Sequence, residues 1–206
     1  MPPACLPLFL DSTPTPRPFS RMHILLFFVP RVVSANIDAL PLLTLAHPCS
    51  HSSDSTPTPI PSRHQISRKL HQIFSDEEVR HVFLPIPGIV RTWVLGTGGP
   101  GGVVTDMCGF YHLHSSIMGH PQHKTLCAVY SYYNVAKTMS LQALYADLLV
   151  MAYNSGADVF NALDVMDNDS VFEDLKFGQG DGFLHYYVYN WRCPQLEPGQ
   201  VGMVLV

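Results

Sequence analysis

Residues 176–182 read Lys-Phe-Gly-Gln-Gly-Asp-Gly, and an aromatic run, Phe183-Leu-His-Tyr-Tyr-Val-Tyr-Asn-Trp191, follows at once. Glycines at 178, 180 and 182 permit positive φ and leave no Cβ in the way of an approaching backbone. Two readings fit this spacing. One is an ordinary Gly/Asp turn between a helix and a strand. The other is a loop built for close backbone approach, which presents the Asp181 carboxylate from a tight turn. A common phosphate-binding loop is excluded, because the GxxxxGK[ST] order is missing and a carboxylate repels phosphate.

Outward from this stretch, residues 64–206 carry the signals of a mixed α/β fold. Ser75-Asp-Glu-Glu78 is a capping box and predicts a short helix bearing Val79, Val82 and Phe83, ended by Pro85 and Pro87. Residues 89–95 and 103–113 predict a hairpin around the glycine-rich turn 96–102, and residues 126–133 a third strand. Ser140 is placed to cap the longest helix. Leu141, Leu144, Leu148 and Leu149 recur there at helical spacing, and Gly156 sits at the C-terminal cap. Further strands are expected at 158–163, 184–191 and 200–205, with a short helix at 170–176. Together they predict a twisted sheet with helices packed on it.

Residues 1–63 differ in composition. Twelve of the 18 prolines lie before residue 65, with only seven charged residues in that stretch. Segments such as Ser12-Thr-Pro-Thr-Pro-Arg-Pro18 predict a Pro/Ser-rich, disordered leader. Its apolar runs, 24–29 and 40–45, are far shorter than the roughly 20 residues of a membrane-spanning helix. A signal peptide starting near Met22 is broken by Pro30 and Arg31. The net charge of −4, without a basic stripe, excludes a general nucleic-acid footprint. Five cysteines without CxxC spacing argue for free thiols in a reducing, cytoplasmic setting. Cys193, in a Trp-Arg-Cys-Pro context, reads as a buried strand end. His112, His114, His120 and His123 invite a metal reading by their proximity. The Gly119/Pro121 loop instead suits His120 as a hydrogen-bonded structural residue, and no metal site is expected.

The motifs in series resemble a known family. Phe110-Tyr111, Ser115-Ser-Ile-Met-Gly-His-Pro121, His123-Lys124, Tyr130-Ser-Tyr-Tyr-Asn134, Asp158-Val-Phe-Asn-Ala-Leu-Asp164, the 176–194 stretch and Val201-Gly-Met-Val-Leu-Val206 are similar, in order and spacing, to the C-terminal part of glycylpeptide N-tetradecanoyltransferases, the N-myristoyltransferases. His114 departs from that pattern, since the family commonly has proline before the serine. The resemblance implies an acetyltransferase-like half with a mostly antiparallel twisted sheet flanked by helices. It implies transfer of a myristoyl group from myristoyl-CoA, a co-substrate rather than a bound cofactor, to the N-terminal glycine of proteins. Substrate peptides often carry a nearby lysine or arginine.

The resemblance also assigns roles. Ser115, Tyr130, Asn161, Asp181, Gly182 and Leu184 would line the peptide groove, and the terminal carboxylate of Val206 would be the general base. Asp181 has a physical case of its own as partner for a substrate cation, and Asp164, Asp167 and Asp169 add negative potential that would steer basic peptides. Nothing in residues 1–63 resembles the half that holds the acyl-CoA. This chain is therefore expected to carry only the peptide-binding part and to be inactive alone. The alternative is a non-catalytic truncated fragment or peptide-binding remnant.

Overall fold

The computed structural model describes residues 20–28, 47–48, 68–97, 103–189 and 192–204. Two helices form where local signals demanded them. Helix α1, Asp76–Phe83, starts at the expected capping box: Glu78 N–H donates to Ser75 Oγ and Ser75 N–H donates to Glu78 Oε2 at 2.7 Å. Helix α2, Leu141–Asn154, has Ser140 as its N-cap, accepting from Ala143 N–H at 3.1 Å. Just past its C-terminal cap, Gly156 takes φ 81°, as a left-handed stop requires. Helix α3 is only one turn, Asp169–Phe172. The chain then turns tightly to Lys176, which itself adopts φ 61°.

The main sheet has the order β10-β1-β9-β8-β5-β4-β2. Its central hairpin is β4, Val90–Thr97, with β5, Val103–His112. Strand β8, Ala128–Ser131, pairs antiparallel with β5 and parallel with β9, Val159–Leu163. Beyond β9 lie β1, Ser20–Phe28, and then β10, Gly178–Tyr186, both antiparallel to their neighbours. At the other edge β2, His47–Pro48, pairs with β4. Two small sheets complete the described part: β3, Leu70–His71, with β11, Val201–Gly202, and β6, Ser115–Ser116, with β7, Thr125–Leu126.

Alternation along β5 separates two cores. Cys108 and Phe110 join Trp93, Phe160 and the buried α2 residues Leu144, Tyr145 and Leu148. Met107 joins the opposite cluster, with Phe74 and Phe83 around α1, Tyr132, Tyr133, Tyr186, Val201 and Val204. The mixed α/β architecture, a twisted and mostly antiparallel sheet with helices against it, is thus the one expected.

Three placements differ from expectation. The stretch ahead of residue 64 is not uniformly separate from the domain, because Ser20–Phe28 inserts between β9 and β10 and Met22 is fully buried. The mostly apolar residues 22–28 supply a strand paired on both sides, whatever the proline content around them. The 178–182 glycines form strand rather than loop, and none of them has positive φ. The C-terminal stretch does not close the main sheet; it pairs in parallel with β3. Among the described residues of the aromatic run, Tyr186 is buried, while Tyr187 and Tyr189 are exposed.

Two buried aspartates flank the Cys108 thiol, whose pKa burial pushes up to about 12. Fully buried Asp106 opposes its desolvation with donors from Thr138 Oγ1 and from the N–H groups of Lys137 (2.7 Å), Thr138 (2.9 Å) and Met139 (3.3 Å). Burial alone would raise its pKa; hydrogen bonds from the Thr105 and Thr138 side chains and the Thr138 and Lys137 N–H groups outweigh it and hold the carboxyl below its ordinary value. Asp147, on α2, is buried with Oδ2 unpartnered, and desolvation raises its pKa. The signs are opposite. Asp106 adds stability at neutral pH that disappears as pH falls through its lowered folded value, whereas Asp147 withdraws stability as pH rises past the ordinary carboxylate range. Chemical denaturation at pH 7 is expected to show Asp106→Asn destabilised by about 2 kcal/mol, the scale of hydrogen bonds to a charged group. Asp147→Asn is expected to be at least as stable as the unsubstituted chain at pH 7, with the advantage shrinking towards pH 4.

Candidate peptide-binding site

The sheet register sets several of the expected groove residues side by side. Tyr111 on β5 faces Tyr130 on β8, and Tyr130 faces Asn161 on β9. Asn161 is in turn opposite Leu26 of β1, and Leu26 opposite Gly178 of β10. One lateral row therefore crosses five strands. Because Phe160 and Ala162 belong to the α2 side, Asn161 and Leu163 point to the other face, the one lined by the tyrosine cluster. Tyr130 is half-buried and stacks on Tyr111, with centroids 5.4 Å apart and planes inclined by 15°. Tyr111 meets Tyr132 edge-on at 5.7 Å. Burial, reinforced by Tyr130 and Tyr186, pushes the Tyr111 phenol up to about 12, which keeps its hydroxyl neutral. Leu184 packs on the same cluster, opposite the buried Met22.

Asp181 and Gly182 occupy a bulge. Between the pairs His23↔Phe183 and Leu25↔Gln179, β1 has the single residue Ile24, whereas β10 has Gly180, Asp181 and Gly182. Three residues against one must leave the ladder, and a glycine on each side of the aspartate makes that departure easy. The Asp181 side chain ends up exposed, as the loop reading expected, although the backbone that carries it is a bulged strand. His23 spans the bulge from β1. Its ring lies 4.8 Å from Phe183, and its Nδ1 is 3.2 Å from Gln179 Nε2. Its backbone is held from the other side, with His23 N–H donating to Asp164 Oδ1 at 2.9 Å and Asp164 N–H donating to the His23 carbonyl. Sequence reading did not single out His23, since the Pro-rich surroundings hid the strand that brings it here.

The acidic residues expected to steer basic peptides are differently employed. Asp164 is half-buried, and burial raises its pKa against the pull of the His23 N–H. Asp167 pairs with Arg68. Asp169 is exposed at the start of α3. Ser115, also exposed, lies in the separate β6–β7 hairpin beyond the end of β5. It does not share the row of Tyr130 and Asn161. His120 organises that hairpin's loop, its Nδ1 accepting from the N–H groups of Gln122 (3.3 Å) and His123 (3.0 Å). Among the described residues no three His, Cys, Asp or Glu side chains gather as metal ligands.

Val206 lies outside the described residues. The segment leading to it is fixed on the tyrosine side: Tyr186 Oη donates to the Met203 carbonyl at 3.0 Å, and Val204 N–H donates to Tyr133 Oη at 3.1 Å. Burial raises the Tyr133 pKa, opposed by that Val204 hydrogen bond. Tyr133 and Tyr186 thus act as anchors, a role no local motif announced. Cys193 is half-buried in irregular chain, packed against the same cluster. No helix among the described residues is long and apolar enough to cross a membrane.

Comparison with known proteins bears on the fold and the family. Residues 56–204 match the family model described as Myristoyl-CoA:protein N-myristoyltransferase, C-terminal domain. The chain is 48% identical over 148 residues to glycylpeptide N-tetradecanoyltransferase 2 of Danio rerio, covering 72% of this chain and 30% of that protein. It is 43% identical over 145 residues to the Plasmodium falciparum glycylpeptide N-tetradecanoyltransferase, covering 70% and 35%. It therefore spans about a third of the length of the curated relatives it matches. A crystal structure of Saccharomyces cerevisiae N-myristoyltransferase with bound myristoyl-CoA superposes with a TM-score of 0.78 at 22% identity, over 95% of this chain and 59% of that one. Another structure of the yeast enzyme with bound myristoyl-CoA gives 0.72 at 25%, over 93% and 56%. With a family model matching well over half of its residues, relatives above 40% identity and a shared fold, this chain belongs to the N-myristoyltransferase family.

Proposed function

We propose that this chain supplies the peptide-binding part of a glycylpeptide N-tetradecanoyltransferase, which moves a myristoyl group from myristoyl-CoA to the amine of an N-terminal glycine. The observation that carries the reading is the shared face. Tyr130, Asn161 and Leu184 lie there together, the Asp181 bulge borders them, and the 203–204 segment is pinned against the same cluster. An extended peptide laid on this face meets aromatic walls and the Asn161 amide, while a lysine or arginine a few residues in reaches Asp181. A carboxylate on a braced strand loses little freedom in such a pair, and a charge-assisted hydrogen bond is stronger than a neutral one. Ser115 and Gly182 complete the peptide contacts in this reading, and the site calls for neither a metal nor a resident cofactor.

The chemistry asks for one proton to be removed. A glycine α-ammonium of pKa about 8 must become the free amine before it attacks the thioester carbonyl. The reading keeps the Val206 carboxylate as general base, because a carboxylate raised by burial comes closer to the operating pH. Attack then forms the amide bond, breaks the thioester bond and releases coenzyme A as its thiol. A cytoplasmic setting, where nascent glycyl termini and reduced thiols coexist, suits such a reaction.

Titration with a fluorescent peptide that begins with glycine and carries an internal lysine tests the binding face. Asp181→Asn is expected to weaken that peptide about tenfold, the worth of one charge-assisted contact. A lysine-free version should be unaffected, and an equal loss for both would remove Asp181 from cation recognition. In an active form of the enzyme, residues appended after Val206 are expected to lower kcat more than they change KM. An extended form that keeps full turnover would exclude the carboxylate as base.

A further inference from the structure

The segment that runs towards the groove is held by apolar burial and by a small polar knot, and the two do different things. Val201 and Val204 are buried in the tyrosine cluster, which fixes which side of the segment faces inward. Burial alone defines register poorly in so short a strand, and a slip along it would carry every later atom with it. The knot sets the register. Arg68 Nη1 donates to the Gly199 carbonyl at 2.6 Å, and its Nη2 bonds the Asp167 carboxylate. Lys69 N–H donates to the Gln200 carbonyl at 3.0 Å and Met166 N–H to the Val201 carbonyl at 3.0 Å. Three distant pieces of chain therefore meet: the entry to β3, the turn after β9 and the residues before β11.

Two features mark the knot as specialised. The Arg68 side chain is only 16% exposed, and its Nε is buried without a partner. The fork is thus aimed by Gly199 and Asp167 at the expense of its third donor position. Met166, a bulky and buried residue, holds φ 59°, a conformation ordinarily left to glycine or asparagine. Such strain persists where its surroundings over-determine it.

We propose that Arg68 is a positioning residue, whose grip on Gly199 and Asp167 sets how far the 199–204 segment advances along the tyrosine face and so the shape of the peptide site. This rests on the peptide-binding reading above, because a groove is what the segment would be positioned in. Arg68 touches neither the row of Tyr130 and Asn161 nor the bulge; it acts through Val201 to Val204.

The test measures two quantities on the same chain in its unsubstituted, Arg68→Ala, Arg68→Lys and Asp167→Asn forms. Amide hydrogen exchange is followed at Lys69, Met166 and Val204, each of which donates in the structure, with α2 amides as the reference for global stability. Affinity for the fluorescent glycine peptide is measured in parallel. Arg68→Ala is expected to speed exchange at the three amides by about tenfold or more relative to α2, and to weaken the peptide by a similar factor, as loss of a charge-assisted contact would. Arg68→Lys should recover part of both, and Asp167→Asn should shift both in the same direction but less. Unchanged exchange at the three amides, or faster exchange with unchanged peptide affinity, overturns the positioning role while leaving the peptide site standing. Failure of the unsubstituted chain to bind the peptide overturns the functional reading and the positioning role together.

Discussion

The double pairing of β1 is the contact on which the candidate site rests. Among the described strands, β10 reaches the main sheet through β1 alone, and β1 reaches it through β9. The Asp164–His23 exchange of hydrogen bonds locks β9 to β1 at the level where β10 bulges, and the His23 ring braces that bulge from Gln179 to Phe183. Without this strand, the row from Tyr111 to Asn161 would survive, but Asp181 would have no fixed place beside it. A bulge built from glycines has little stiffness of its own and borrows it from a neighbour.

The same logic separates what was legible in the sequence from what was not. Ser75 and Ser140 announce their helices because a cap is satisfied within four residues, and both helices begin where those serines say. Tyr130 and Asn161 share a face because strand alternation and register put them there. The 178–182 glycines were misread because their conformation is decided far away. A Gly-x-Gly-x-Gly stretch has the local character of a turn, yet β1 offers it a ladder, and the surplus residues become a bulge rather than a loop. The anchors Tyr133 and Tyr186 were hidden for a similar reason: each bonds a backbone group of the final segment, a partner that no spacing rule identifies.

Charge is also used unevenly across the molecule. Asp106, Asp164 and Asp167 are spent on backbone or arginine partners that join separate pieces of chain, and only some of the acidic residues face solvent. Counting carboxylates near the candidate site therefore overstates its potential. The fold places an acidic group where it closes a turn or ties a strand, and leaves the one on the glycine bulge facing outward.

The order of the strands has a consequence for how the chain is made. Among the described strands, β1 finds its two neighbours in β9 and β10, so Phe28 must await Val159 and Ser20 must await Tyr186. During synthesis its apolar residues stay without this ladder until β9 and β10 have emerged. Docking of β1 and β10 onto β9 is then a late, long-range event, slow by the entropy of joining ends so far apart. A nascent chain of this design spends its growth with a hydrophobic ribbon on offer to any passing strand, and has good reason to depend on chaperone cover at the ribosome.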